Sequence, residues 1–261
     1  MPTIRRVAAM LDLDPVQFSA GTPLPRGWQF VLLGADTRRS ALRRDGFPGL
    51  GVPMPDLGLP RLMLGGRSVS FVGDIPIGAT VMRSSAVRSV VHKVNESGPM
   101  AIVTLLHELR IAEHAAPALV ETQTYLLLSP AKARTEDPLA PEGDPITAEH
   151  VRTVIPDDTL LFQYSALGFN SHRIHIDRDY ARDEEGFPDL VVNGGLITLL
   201  LSEFLRRDLN VVPSAFKVRH MAPLFCNRPV TLAADQVGER WRLKAFDDRN
   251  RLAAEMEVDI Q

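Results

Sequence analysis

The clearest periodicity in the chain runs from Gly194 to Arg207, where Leu196, Ile197, Leu199, Leu200, Leu201, Phe204 and Leu205 put apolar side chains around most of a helix. A helix with so little polar surface has to be buried, and Asn193 stands where a capping residue belongs. Extended patterns lie on both sides of it. After the helix, residues 215–219 lead through a Pro-containing connection at 222–227 to 229–232, and 241–246 and 252–260 read as the remaining strands. The first half repeats that order: 68–71, the connection 73–78, Thr80-Val81, then 86–92 and 101–111. Turn sequences Asn95-Glu96-Ser97-Gly98-Pro99 and Asp247-Asp248-Arg249-Asn250 fall at equivalent places. The repetition suggests a duplicated unit, although antiparallel proteins produce such likeness by chance as well.

Between residues 129 and 145, prolines and charges replace the periodic patterns, which marks a linker. The expected organisation is an N-terminal unit over 1–130, a linker over 131–145 and a C-terminal unit over 146–261. An antiparallel sheet curled around the apolar helix gives the hot-dog arrangement, and a helix beside an ordinary α+β sheet fits the same pattern. Composition narrows the functional classes. With 261 residues, 45% of them hydrophobic, and a net charge of −3, the chain has no basic field of the kind nucleic acids attract. The run 196–205 is interrupted by Ser202-Glu203 and is well short of the ~20 residues needed to cross a bilayer, so no membrane partner is expected. The single cysteine, Cys226, excludes an internal disulfide and is expected as a buried thiol, and the first 13 residues lack the apolar core of a secretory signal, which fits a cytoplasmic protein. Gly65-Gly66 makes no dinucleotide fingerprint and there is no P-loop, so no nucleotide cofactor is implied.

The chemistry concentrates in Phe169-Asn170-Ser171-His172-Arg173-Ile174-His175-Ile176-Asp177, with Asn193-Gly194-Gly195 following sixteen residues later. An imidazole titrates near neutrality and suits proton transfer, and a helix start presents free N–H groups to a developing anion. On these residues alone His172 and His175 are both candidates. Two histidines without a spaced third ligand are a weak zinc signal, and no metal is expected.

The blocks Phe162-Gln163-Tyr164-Ser165-Ala166-Leu167-Gly168-Phe169-Asn170, His172-Arg173-Ile174-His175 and Val191-Val192-Asn193-Gly194-Gly195-Leu196 resemble, in this order, the MaoC-like (R)-specific enoyl-CoA hydratases and dehydratases. Pro60-Arg61-Leu62-Met63-Leu64-Gly65-Gly66-Arg67 and Ser97-Gly98-Pro99 are similar to the subfamily that includes mesaconyl-CoA and itaconyl-CoA hydratases. The resemblance covers nearly the whole chain. It implies an α+β double hot-dog: two antiparallel sheets, each wrapped around a central helix, with a degenerate N-terminal copy that makes room for the acyl group. It also implies reversible hydration of a 2-enoyl-CoA, extending to branched or dicarboxylic C4–C5 groups such as mesaconyl-, itaconyl- or methylfumaryl-CoA, with no cofactor and a homodimeric assembly.

The resemblance places the catalytic histidine at His175, the oxyanion donor at Gly195 beside Gly194, and leaves His172 a structural role. The family usually has an aspartate where this chain has Asn170. An amide can orient water but cannot take its proton, so His175 is the only acid/base group of that pair. Arg61, Arg67, Arg173, Arg219 and Arg228 are candidates for CoA phosphates or a substrate carboxylate, since guanidinium forks recognise both, and Arg61 and Arg67 stand in the subfamily-like block. A thioesterase and a non-catalytic acyl-CoA-binding protein are the competing readings.

Overall fold

The computed structural model describes residues 2–260 apart from 55, 96–97, 113 and 131–140. The chain opens with α1 (Pro2–Met10), followed by short 3-10 turns at Pro15–Gln17, Trp28–Leu32 and Arg39–Ala41. Four strands come next, β1 (Arg61–Phe71), β2 (Val81–Asn95), β3 (Gly98–Ile111) and β4 (Leu119–Leu128). The second half holds β5 (His150–Val154), α2 (Asp158–Leu167), α3 (Gly194–Arg207), β6 (Pro213–His220), β7 (Val230–Val237), β8 (Arg240–Phe246) and β9 (Leu252–Ile260). The strands anticipated from the pattern are all present, while β4 and β5 were not anticipated. Most of the linker, and Glu96 and Ser97 of the first turn, lie outside the described residues.

The nine strands among the described residues form one sheet, in the order β2-β3-β4-β1-β6-β9-β8-β7-β5, with every pairing antiparallel. This corrects the expectation of two separate sheets. The halves join edge to edge where β1 pairs with β6, from Gly66↔Arg219 to Ser70↔Ala215. Gly66 is what permits the join, because a Cβ there would stand 2.5 Å from the Val218 carbonyl oxygen. The neighbouring bulge between Leu64 and Gly66 turns the start of β1 relative to that contact. Gly65-Gly66 therefore serves the sheet.

Strand order reads outward from the join as β1-β4-β3-β2 on one side and β6-β9-β8-β7 on the other. The connections correspond as well. Leu24 N–H donates to Ile75 O and Ile77 N–H to Thr22 O, as Val192 N–H does to Leu224 O and Cys226 N–H to Leu190 O. The segment that follows differs between the halves. After Val192 comes the 14-residue α3, whereas after Leu24 the chain makes only the 3-10 turn Trp28–Leu32.

The helix α3 is buried along most of its length, packed on β1, β8 and β9. Its polar residues are satisfied inside. Trp28, fully buried, donates Nε1–H to Glu203 Oε1 at 2.8 Å, and Arg206 closes the other side of that carboxylate. Gly27 makes the approach of the first half feasible, since a Cβ there would come within 2.8 Å of Ser202 Cβ.

Candidate active site

Where the start of α3 meets the loop after α2, a cavity of about 150 Å³ opens, with Arg67, Tyr164, Asn170, His172, His175, Gly194, Gly195 and His220 on its walls. Local chain chemistry builds the loop. The Asp157 carboxylate caps α2 by accepting from Leu160 N–H at 2.7 Å. At the other end the chain reverses through Phe169, which has φ of +49°. Asn170 Oδ1 then accepts from His172 N–H at 3.1 Å, forming an Asx turn that leads into the 3-10 turn Arg173–His175. The Asn170 oxygen is thus engaged in building the loop, and its side chain still borders the cavity.

His175 is 7% exposed, and its Nδ1–H donates to Val191 O at 2.7 Å. That bond fixes the tautomer and leaves Nε2 with a free lone pair. Burial, with His172 beside it, depresses the pKa to about 3 despite the opposing bond to Val191, so the ring is a neutral acceptor at physiological pH. Val191 N–H in turn donates to Ile174 O at 2.9 Å. The segment that holds the imidazole therefore runs directly into α3, which explains how residues sixteen apart or more in sequence come to share one cavity.

The start of α3 departs from one expectation. Asn193 occupies the capping position but makes no capping bond; its Nδ2–H donates to Ser165 Oγ at 3.2 Å, and its buried Oδ1 has no partner among the described residues. The first turn consequently keeps backbone N–H groups without a side-chain cap, at the positive end of a 14-residue helix. Gly195 has to be glycine here. A Cβ would overlap the Tyr164 hydroxyl and sit 3.3 Å from Arg67 Nη2. Replacing Gly195 by alanine keeps the backbone N–H but is expected to displace the Tyr164 ring from its stack on Phe30, at 4.7 Å between centroids, and to fill the space beside the helix start, lowering kcat/KM about 10²-fold, the scale of a small misplacement within a site. Steady-state kinetics with a circular-dichroism control would check this, and a fully active alanine variant would mean that the space beside Gly195 is not used. Gly194 is less constrained, since its Cβ would make an ordinary 3.4 Å contact with His220 Nε2.

The remaining sequence candidates separate. His172 reaches the cavity edge-on to His175, with ring centroids 5.5 Å apart. Its buried Nε2 has no hydrogen-bond partner among the described residues and lies 3.7 Å from Asp45 Oδ2, and burial, with Arg43 nearby, lowers its pKa to about 4. Arg67 lines the cavity, but Arg61 and Arg173 do not. Arg61 Nε–H donates to Glu185 Oε2 at 2.6 Å, on the wall of a wide groove of about 920 Å³ that shares Phe47 and Leu62 with the cavity. Arg173 forks onto Asp177 at 2.7 and 3.0 Å, its guanidinium 4.1 Å from the Tyr180 ring. Arg219 pairs with Glu255 at 2.8 Å, and Arg228 reaches Asp248 at 3.9 Å.

Three polar cavity residues were missed by the reading of the sequence. Tyr164 lies within a family-like block, so its membership there was the available signal. His220, at the end of β6, and Tyr125, on β4, carry no local signal and arrive only through the sheet. Burial and the charge of Arg67 lower the His220 pKa to about 3, while burial pushes the phenols up, Tyr125 to about 12, so both tyrosines stay protonated.

The family model for hydroxyacyl-thioester dehydratase type 2 matches residues 27–226. The chain is 37% identical over 259 residues to the mesaconyl-C(4)-CoA hydratase of Chloroflexus aurantiacus, covering 97% of this chain and 90% of that protein. Among solved structures, HtdX from Mycobacterium tuberculosis superposes with a TM-score of 0.67 at 16% identity, over 100% of this chain and 96% of that one. A MaoC-like dehydratase from Phytophthora capsici gives 0.68 at 13% identity, over 100% and 92%. At those identities the structural likeness speaks for the fold, and the family rests on the sequence matches. With 200 of its 261 residues inside the family model, the chain belongs to the hydroxyacyl-thioester dehydratase type 2 family, a family of hydro-lyases.

Proposed function

We propose that the protein reversibly hydrates a short 2-enoyl-CoA, with branched and dicarboxylic C4–C5 acyl groups as its substrate class. The observation that carries this reading is the fixed tautomer of His175, whose free Nε2 belongs to the same cavity as the first turn of α3. His175 Nε2 takes a proton from water as the water oxygen bonds to C3 of the substrate. The C2–C3 π pair moves to the C1–C2 bond, and the carbonyl π pair moves onto the thioester oxygen. Gly195 N–H and the positive helix end receive that enolate charge. The imidazolium then returns its proton to C2, restoring the carbonyl on the same face from which water attacked. Dehydration is the reverse. Asn170 lies at the cavity wall as a group that can orient water without accepting its proton.

Cavity size supports a short acyl group. Cavities of about 150 Å³ in other proteins accommodate benzene, so four or five carbons fit beside His175. The larger groove around Arg61 supplies a path for the CoA moiety, and the two-unit reading assigns catalysis to 146–261 and acyl accommodation to 1–130. In that reading the N-terminal unit is a degenerate hot dog that has lost its long helix, consistent with the short turn at Trp28–Leu32. Its Arg67 borders the acyl space, and its Phe30 lines an adjoining cavity of about 100 Å³.

Purified protein incubated with crotonyl-CoA, mesaconyl-C4-CoA and trans-2-octenoyl-CoA would test the proposal. Loss of the conjugated thioester absorbance and a gain of 18 mass units in the product are expected with the short substrates, and at least about tenfold lower kcat/KM with the octenoyl thioester. Release of free thiol would establish a thioesterase instead. Tight binding without turnover of any thioester by folded protein would leave an acyl-CoA-binding protein.

A further inference from the structure

Tyr164, in the last turn of α2, is 5% exposed and lines both the catalytic cavity and the adjoining one that Phe30 borders. Its ring is held by the stack on Phe30, at an interplanar angle of 22°. That packing asks only for an aromatic ring, which phenylalanine would supply as well. The hydroxyl is an addition. It makes no hydrogen bond to any described residue, yet its oxygen keeps accessible surface, and the space it faces is the cavity.

The same oxygen lies against the start of α3. A Cβ on Gly195 would overlap it, and Arg67 Nη2 stands 3.3 Å from that Cβ point. A Cβ is about 2.5 Å from its own backbone nitrogen, so the Tyr164 oxygen is within about 5 Å of Gly195 N. Two donors that close can share one acceptor, since each reaches about 2.7–3.1 Å. Burial raises the pKa of the phenol, which makes it an O–H donor throughout the physiological range.

The geometry points to the Tyr164 hydroxyl as a second catalytic donor to the thioester oxygen, acting beside Gly195 N–H where the enolate charge collects. This deepens the hydratase reading of the same site and rests on it. A phenol is more acidic than a peptide N–H, so its hydrogen bond strengthens more as charge builds on the oxygen, and phenols serve enolate-forming sites elsewhere in this way. A buried hydroxyl without a protein partner forfeits hydration, and on a cavity wall a ligand supplies what the protein does not. The inference also explains why residue 195 has to be glycine: the place of its side chain is taken by the group that meets the substrate. Arg67, 9% exposed, adds a positive field beside both donors.

Tyr164→Phe tests this, because it keeps the stacked ring and removes one oxygen that the fold does not bond. Its melting temperature is expected to match the wild type, while kcat for crotonyl-CoA falls about 10²-fold or more, the usual effect of losing one oxyanion donor, and KM stays within about threefold. A variant that retains kcat, or one whose loss lies in KM alone, would overturn the proposal. Butyryl-CoA labelled at its carbonyl carbon cannot be hydrated, and its infrared carbonyl stretch reads the contact directly. In the wild-type protein the stretch should move to lower frequency on binding, and Tyr164→Phe should reverse part of that shift. No shift in the wild type, or the same shift in both proteins, would also count against the proposal, and the first of these outcomes needs no variant to fold. The two readings fail separately. A protein that turns over no enoyl-CoA but shows the Tyr164-dependent shift keeps the donor and loses the hydratase, whereas one that hydrates crotonyl-CoA equally well after Tyr164→Phe does the reverse.

Discussion

Replacing His175 by alanine is expected to lower kcat/KM about 10²–10⁴-fold, the range a positioned proton-transfer group contributes. The argument rests on geometry. The Val191 carbonyl holds Nδ1–H, so Nε2 is the free basic nitrogen of this ring, and no second basic residue occupies the position five before it, where Asn170 is bound into its turn. A low pKa does not disqualify the base. It keeps the lone pair free across the physiological range, and the enolate forming in the same cavity stabilises the imidazolium as the proton arrives. The same reasoning predicts that kcat/KM has no acidic limb from His175 between about pH 5 and 8. The structural cost should be small by comparison, about 1–3 kcal/mol for leaving the Val191 carbonyl unpaired. Activity measured beside a melting curve separates the two effects. A folded, fully active alanine variant would shift the proton work to His172, whose Nε2 is also free.

Acidification is expected to destabilise the protein well before its carboxylates titrate. Burial leads the causes that hold His172 at about 4 and both His175 and His220 at about 3, against roughly 6.5 in an unfolded chain. Below pH 6.5 the unfolded state therefore binds more protons than the folded one, and stability rises with pH. The contribution from neutral burial is complete above pH 6.5 and is lost as the pH falls through 5 toward 4 and 3. At pH 5 each of the three histidines has given up about 2 kcal/mol, about 6 in total, which is on the scale of the whole stability of a domain. Urea unfolding at pH 7 and pH 5 would measure this difference. Identical free energies at the two pH values would mean that the imidazoles are hydrated or charged in the folded protein. A His220→Gln variant should flatten the dependence by about one third.

The strands and α3 were legible because burial imposes periodicity on each element by itself. Leu196 through Leu205 announce a buried helix whatever surrounds it, and alternation in 241–246 and 252–260 announces strands. The fusion of the halves into one sheet was not legible. It depends on Gly66 meeting the Val218 carbonyl across about 150 residues of chain, and a glycine in a strand has no side chain to signal which backbone it admits. Asn193 misled for a related reason. A capping residue type at a helix start is a local rule, and here Ser165, on α2, draws the side chain away.

By itself the sequence determined which groups are candidates for the chemistry and where the long buried helix begins, because residue type and helix periodicity are local in the chain. Its order of blocks also determined the family. Tertiary structure alone decided which of those groups meet. It excluded Arg61 and Arg173 from the cavity by pairing them with Glu185 and Asp177, kept Arg67 there, and brought in Tyr125, Tyr164 and His220. It also fixed the tautomer of His175 through a carbonyl sixteen residues away. The reason is physical: proton affinity, desolvation and hydrogen-bond satisfaction depend on neighbours in space, and the chain specifies those neighbours only by folding.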